Sequence, residues 1–173
     1  MANYNNVNDF TFSDEDNDEP LSKEEVKDWL RIDGNSDNNI VENLISAARV
    51  VIENYLNQSL INRTISVHLN NSCGNICLPF QPFTELVSIK DADDNTIDSY
   101  LLSNSQFRRL QYPCEDGIKV EYKAGPGIGG SIPKVIHTAM LMQISFMYEN
   151  RGDAEVGKSI APMAKSILRS YRR

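Results

Sequence analysis

The sequence predicts an α+β fold, a helical bundle carrying an inserted small, mostly antiparallel β-sheet. Helical periodicity fills both ends of the chain, and short alternating runs fill the middle. A third observation sets the borders of the runs: Asn, Gly, Asp and Pro punctuate the middle between them.

Residues 1–20 hold six acids and no Lys or Arg, with few apolar groups, so they are expected to form a disordered acidic tail. Tyr4, Phe10 and Phe12 stand out there as aromatics that a partner could anchor. Ser22-Lys23-Glu24-Glu25 is a capping box. Val26, Trp29 and Leu30 follow at helical spacing, and Gly34 ends the turn. Asp37 can cap a second helix over about 38–57, whose apolar positions Ile40, Leu44, Ala47, Ala48, Val51, Ile52, Tyr55 and Leu56 keep a 3.6-residue period. The short connection predicts a helical hairpin over 22–57.

The β insertion is expected over 60–123. Its runs are Ile61–Leu69, Ile76–Phe80, Leu86–Lys90, Tyr100–Leu102, Phe107–Leu110 and Ile118–Tyr122. Pro133 then opens a helix to about Asn150. Val135, Ile136, Ala139, Met140, Met142, Ile144, Phe146, Met147 and Tyr148 cover most of its circumference. Such a helix must be buried on several sides, so it is the centre of the bundle or is also covered by a neighbouring subunit, with Ile136, Met140, Ile144 and Met147 as the interface candidates. A last amphipathic helix is expected over about 159–171. The connector body thus spans 21–157, and 158–173 is a basic segment with Lys158, Lys165, Arg169, Arg172 and Arg173 and no acid.

The 173-residue chain carries a net charge of −7, a poor balance for gripping DNA phosphates. No run approaches the roughly 18 apolar residues of a membrane span. No basic residue followed by an apolar stretch marks a signal peptide, so an intracellular product is expected. Cys73, Cys77 and Cys114 suit reduced thiols better than a disulfide framework.

Catalytic and cofactor motifs are weak. Gly125-x-Gly127-x-x-Gly130 matches a dinucleotide fingerprint, but only a helix follows the next helix, so no βαβ unit closes. A flexible sheet-to-helix connection explains the glycines. Cys73-x-x-x-Cys77 with Cys114 and His68 lacks the two close pairs usual for zinc. Asp91-x-Asp93-Asp94-Asn95 lacks the later Gly and Glu of a calcium loop and reads as a turn. His137 lies in the apolar helix and reads as a core or interface histidine. Nothing assembles nucleophile, base and orienting group, so neither enzyme activity, nor a cofactor, nor a metal is expected.

Read together, several segments resemble the head–tail connector (adaptor, head completion) proteins of tailed bacteriophages. Leu21-Ser22-Lys23-Glu24-Glu25-Val26-Lys27-Asp28-Trp29-Leu30 resembles the family's opening. Leu44-Ile45-Ser46-Ala47-Ala48-Arg49 and Ile52-Glu53-Asn54-Tyr55-Leu56 resemble its second helix. Ile76-Cys77-Leu78-Pro79, Pro82-Phe83 and Val87-Ser88-Ile89 resemble its strand, proline turn and strand. Val120-Glu121-Tyr122-Lys123-Ala124-Gly125, Ile132-Pro133-Lys134-Val135-Ile136, Tyr148-Glu149-Asn150-Arg151 and Leu168-Arg169-Ser170-Tyr171-Arg172 continue the order to the terminus.

The resemblance covers about 21–172 and implies a structural virion protein of the neck, between capsid portal and tail, assembled in the host cytoplasm. It implies a homo-oligomeric ring of twelve subunits around a channel through which double-stranded DNA passes without sequence-specific binding. It also implies a portal protein above and a stopper or tail protein below, with no membrane partner. The C-terminal segment would reach the portal. Its docking residues would be Ile160, Met163, Lys165, Ile167, Leu168, Arg169, Tyr171, Arg172 and Arg173. The rival readings are another neck protein (stopper or tail-completion), a nucleic-acid-binding regulator and a nucleotide-dependent enzyme. Salt-sensitive DNA binding would mark the regulator, and stabilisation by a nucleotide would mark the enzyme.

Overall fold

The computed structural model describes residues 7–13, 19–69, 72–98, 100–102, 109–115, 117–126, 131–153 and 159–172. The chain divides into two compact units, residues 1–16 with 61–129, and residues 17–60 with 130–173.

The first unit is built from strands β1 (Val7–Ser13), β2 (Arg63–Leu69), β3 (Ser72–Cys77), β4 (Phe83–Lys90), β5 (Leu101–Leu102), β6 (Arg109–Glu115) and β7 (Ile118–Ala124). They form a four-stranded sheet, order β1-β2-β7-β4, and a three-stranded sheet, order β3-β6-β5. Every pairing is antiparallel. In β7 the period of two is clean: Ile118, Val120, Tyr122 and Ala124 are buried, while Lys119, Glu121 and Lys123 face the other side. Ile65, Val67, Leu69, Leu78, Ile89 and Leu110 complete this unit's core.

On the polar side, Glu121 lies in register with Ser66 on β2 and Ser88 on β4. One carboxylate oxygen meets Lys119 Nζ at 2.8 Å and accepts from Ser66 Oγ at 3.0 Å, and the other accepts from Ser88 Oγ at 3.1 Å. Lys119 above all, with the two hydroxyls, holds the Glu121 carboxyl down at about 2.

Two turns settle motifs seen in the sequence. Asp91 Oδ1 accepts from the Asp93 and Asn95 amides at 2.9 and 2.8 Å, and Oδ2 accepts from Asn95 Nδ2 at 3.1 Å. These hydrogen bonds, led by that of the Asn95 side chain, hold the Asp91 carboxyl below its usual range. The acidic loop is a turn that spends its first carboxylate on its own backbone. Gly125 has φ +134, and an added Cβ would lie 2.5 Å from the Ile61 carbonyl oxygen. Its amide also donates to the Pro82 carbonyl at 3.0 Å. At Gly125 the expected flexible connection is a close-packed backbone crossing that only glycine fits. Gly127 and Gly130 lie outside the described residues. No strand follows the third helix among the described residues, so no βαβ unit is formed there.

The second unit holds α1 (Lys23–Leu30), α2 (Asn38–Leu56), α3 (Lys134–Glu149) and α4 (Pro162–Leu168). Ser22 Oγ accepts from the Glu25 amide at 3.2 Å, which is half of the capping box. The Glu25 side chain instead meets His137 Nε2 at 3.1 Å. Asp37 precedes α2 but makes no side-chain cap, because its carboxylate accepts from the Tyr148 hydroxyl at 3.1 Å. Trp29 Nε1 donates to Ser145 Oγ at 2.8 Å, which ties α1 to α3. Arg49, nearly buried, meets Glu19 at 2.9 Å and Glu53 at 3.3 Å. Glu53 in turn accepts from the Leu60 amide at 2.7 Å. This network fixes the chain's entry to and exit from α2, and removing one partner would strand a buried charge.

The fold class needs correction: the helices do not form a dominant bundle with a small sheet inserted. The period-two runs carry enough apolar positions to close a core of their own, separate from the helical core. Val7–Ser13, expected to belong to a disordered tail, forms β1 and pairs with β2. Phe10, Phe12 and Phe80 pack with ring centroids 5.1 to 5.4 Å apart. The Arg63 guanidinium sits 4.1 Å from the Phe12 ring centroid. Aromatic and cation–π contacts thus offset the ordering cost of a polar segment.

Candidate docking surface

The basic C-terminal segment is seated by α3. Gln143 is a wholly buried polar residue of α3, and its amide is divided between two backbone groups. Nε2 donates to the Ser159 carbonyl at 3.0 Å, and Oε1 accepts from the Ala161 amide at 2.7 Å. That clamp holds residues 159–161 outside the helix, and Pro162 disfavours helical backbone at Ala161 (φ −56, ψ 135). Hence α4 starts at Pro162, later than the periodicity suggested.

From there Ala161, Ala164 and Leu168 point into the helical core, with Ile160, Ile167 and Tyr171 half-buried against it. Gln58 Nε2 donates to the Tyr171 carbonyl at 3.1 Å, which fixes the far end. The outward side carries Met163, 68% exposed, with exposed Lys165, Arg169 and Arg172. The Arg172 guanidinium lies 5.1 Å from the Tyr55 ring centroid. Lys158 and Arg173 lie outside the described residues.

Eight of the nine docking candidates, all but Arg173, therefore separate by geometry. Met163, Lys165, Arg169 and Arg172 are exposed, with Met163 and Lys165 on opposite flanks of α4 and Arg169 and Arg172 beyond its last residue. Leu168 is inaccessible, while Ile160, Ile167 and Tyr171 are mostly engaged within the chain. The interface candidates Ile136, Met140, Ile144 and Met147 are all buried in the helical core and offer no surface to a neighbour. The reason is that α2 and α4 both pack against α3, so its broad apolar surface is covered within the chain. Exposed large apolar side chains of this unit are Val135 at the start of α3 and Trp29, Ile40, Val50 and Met163 on the other helices. Sequence reading missed Gln143, whose only signal is a lone amide between Met142 and Ile144.

Among the described residues no cluster of three or more metal-binding side chains occurs. His68 is exposed on β2, and the side chains of Cys73, Cys77 and Cys114 lie outside the described residues.

A chain of this layout, with a helical unit and an antiparallel β unit and a basic helix face at its C-terminus, has close counterparts in fold. It resembles a chain of the neck of an empty gene transfer agent particle computed with C6 symmetry. The TM-score is 0.76 at 17% identity, over 95% of both chains. It also resembles chains from the virion of a native gene transfer agent particle (TM-score 0.70, 18% identity, 94% of both chains) and from the native neck computed with C12 symmetry (TM-score 0.64, 18% identity, 94% of both chains). The head completion protein family model matches residues 19–173, and the chain belongs to that family. A search of curated proteins found no match.

Proposed function

We propose that this chain is a structural, non-catalytic subunit of the neck of a phage-like particle. In this reading it forms a ring that binds the portal, extends the DNA channel and gives the tail its platform. Membership of the head completion family carries the reading. The likeness in fold to neck proteins resolved with C6 and C12 symmetry supports it.

A ring is a closed heterologous assembly, so each copy needs two different contact faces. The exposed Trp29, Ile40 and Val50 of the helical unit are available for these contacts. The net charge of −7 suits a wall that DNA slides past with few attractive contacts.

Portal docking falls to the exposed side chains of α4 and of the residues after it, with Met163 as apolar anchor and Lys165, Arg169 and Arg172 meeting an acidic rim. Deleting 158–173 is a poor test, because Ala161, Ala164 and Leu168 belong to the core. The triple variant Lys165→Glu, Arg169→Glu, Arg172→Glu changes exposed side chains only. It is expected to weaken binding to the cognate portal by about tenfold or more while circular dichroism stays that of the parent. Unchanged portal affinity in the triple variant would remove α4 from the interface.

A further inference from the structure

We infer that the outer edge of β1 is a strand-addition site for an extended, basic segment of another neck protein, with apolar and basic residues alternating. β1 precedes the residues that the family model matches. It is the terminal strand of the four-stranded sheet, and among the described residues nothing pairs with its far side. Such an edge is a ready template for another strand.

Three observations select the occupant. Phe10 and Phe12 remain 42% and 38% exposed although they pack on Phe80. An added strand would lay alternate apolar side chains over both rings. The Phe10 amide donates to the Asp9 carboxylate at 2.8 Å, a local substitute for the carbonyl of an incoming strand. The strand also lies in a stretch with six acids and no base over residues 1–20, so a basic segment is favoured and an acidic one repelled.

A second copy of this chain fits less well. Pairing β1 with another β1 would bring two acidic segments together. The opposite edge, β4, is interrupted by irregularities between Phe83 and Glu85 and between Leu86 and Ser88, which discourage edge-to-edge pairing. By contrast Asp9–Ser13 keeps unbroken register with β2, so that edge is regular.

The test uses the full chain and a fluorescent peptide alternating lysine and valine, against an isomer with the same residues in two blocks. Anisotropy should show the alternating peptide binding more tightly than the block isomer. Hydrogen exchange should slow at residues 9–13 when it binds. Asp9→Lys should weaken that binding by about tenfold, the scale of a lost charge-assisted contact. Equal binding of both peptides, or exchange at 9–13 unchanged by saturating peptide, overturns the proposal. So does self-association of the wild type that Asp9→Lys abolishes, which would make a second copy the occupant.

Discussion

Glu121 shows how one side chain can be a pH-dependent part of the fold. Its carboxyl is held at about 2 by Lys119, Ser66 and Ser88, against an ordinary value of 4.5. A folded-state value below the unfolded one gives stability that is complete above about 4.5 and lost as pH falls through about 2. The side chain is 27% exposed, so the effect is put at about 1–2 kcal/mol after allowing for solvent screening. Urea unfolding at pH 7 should find Glu121→Gln less stable by that amount, with the gap closing as pH falls from 4.5 towards 2. Parallel pH profiles for wild type and variant would contradict this role. Single residues were unevenly legible in the sequence. Ser22 as a cap and the Asp91 turn could be read from local chemistry. The Glu121 site and the Gly125 crossing could not, because their partners come from distant strands and only the register brings them together.

Elements were easier to read where one period was strong. α1, α2, α3 and the strands β2, β4, β5 and β7 fall where apolar spacing and turn residues placed them, while β3 and β6 only touch the expected runs 76–80 and 107–110. β1 was missed because Asn and Asp hide a Phe10-x-Phe12 alternation that needs Phe80 and Arg63 to be worth ordering. α3 was located correctly, and of its two expected roles its buried side chains fit the centre of the helical core, where α2 and α4 cover them. The length of α4 depends on Gln143, which no periodicity could reveal. Gln143→Leu should take the Gln143 amide from the buried Ala161 amide and the part-buried Ser159 carbonyl and destabilise the helical unit by about 1–3 kcal/mol. Amide exchange at Ala161 should rise first. If exchange there stays at the wild-type rate, the clamp does not hold α4.

For the whole molecule, the order of segments along the chain was the most informative feature of the sequence. It pointed to the head completion family, to which the chain belongs. The balance of the architecture was less legible, since period-two runs do not announce whether they cover a bundle or close a core of their own. Assembly into a portal-bound ring is the central claim, and it rests on exposed groups of the helical unit: Trp29, Ile40 and Val50 between copies, and the exposed side chains of α4 and of the residues after it towards the portal. Particle images of the purified chain mixed with its cognate portal test this most directly. The account predicts a closed ring of copies seated coaxially on the portal. Images showing bare portals beside free monomers, at concentrations where both proteins are folded, would contradict it.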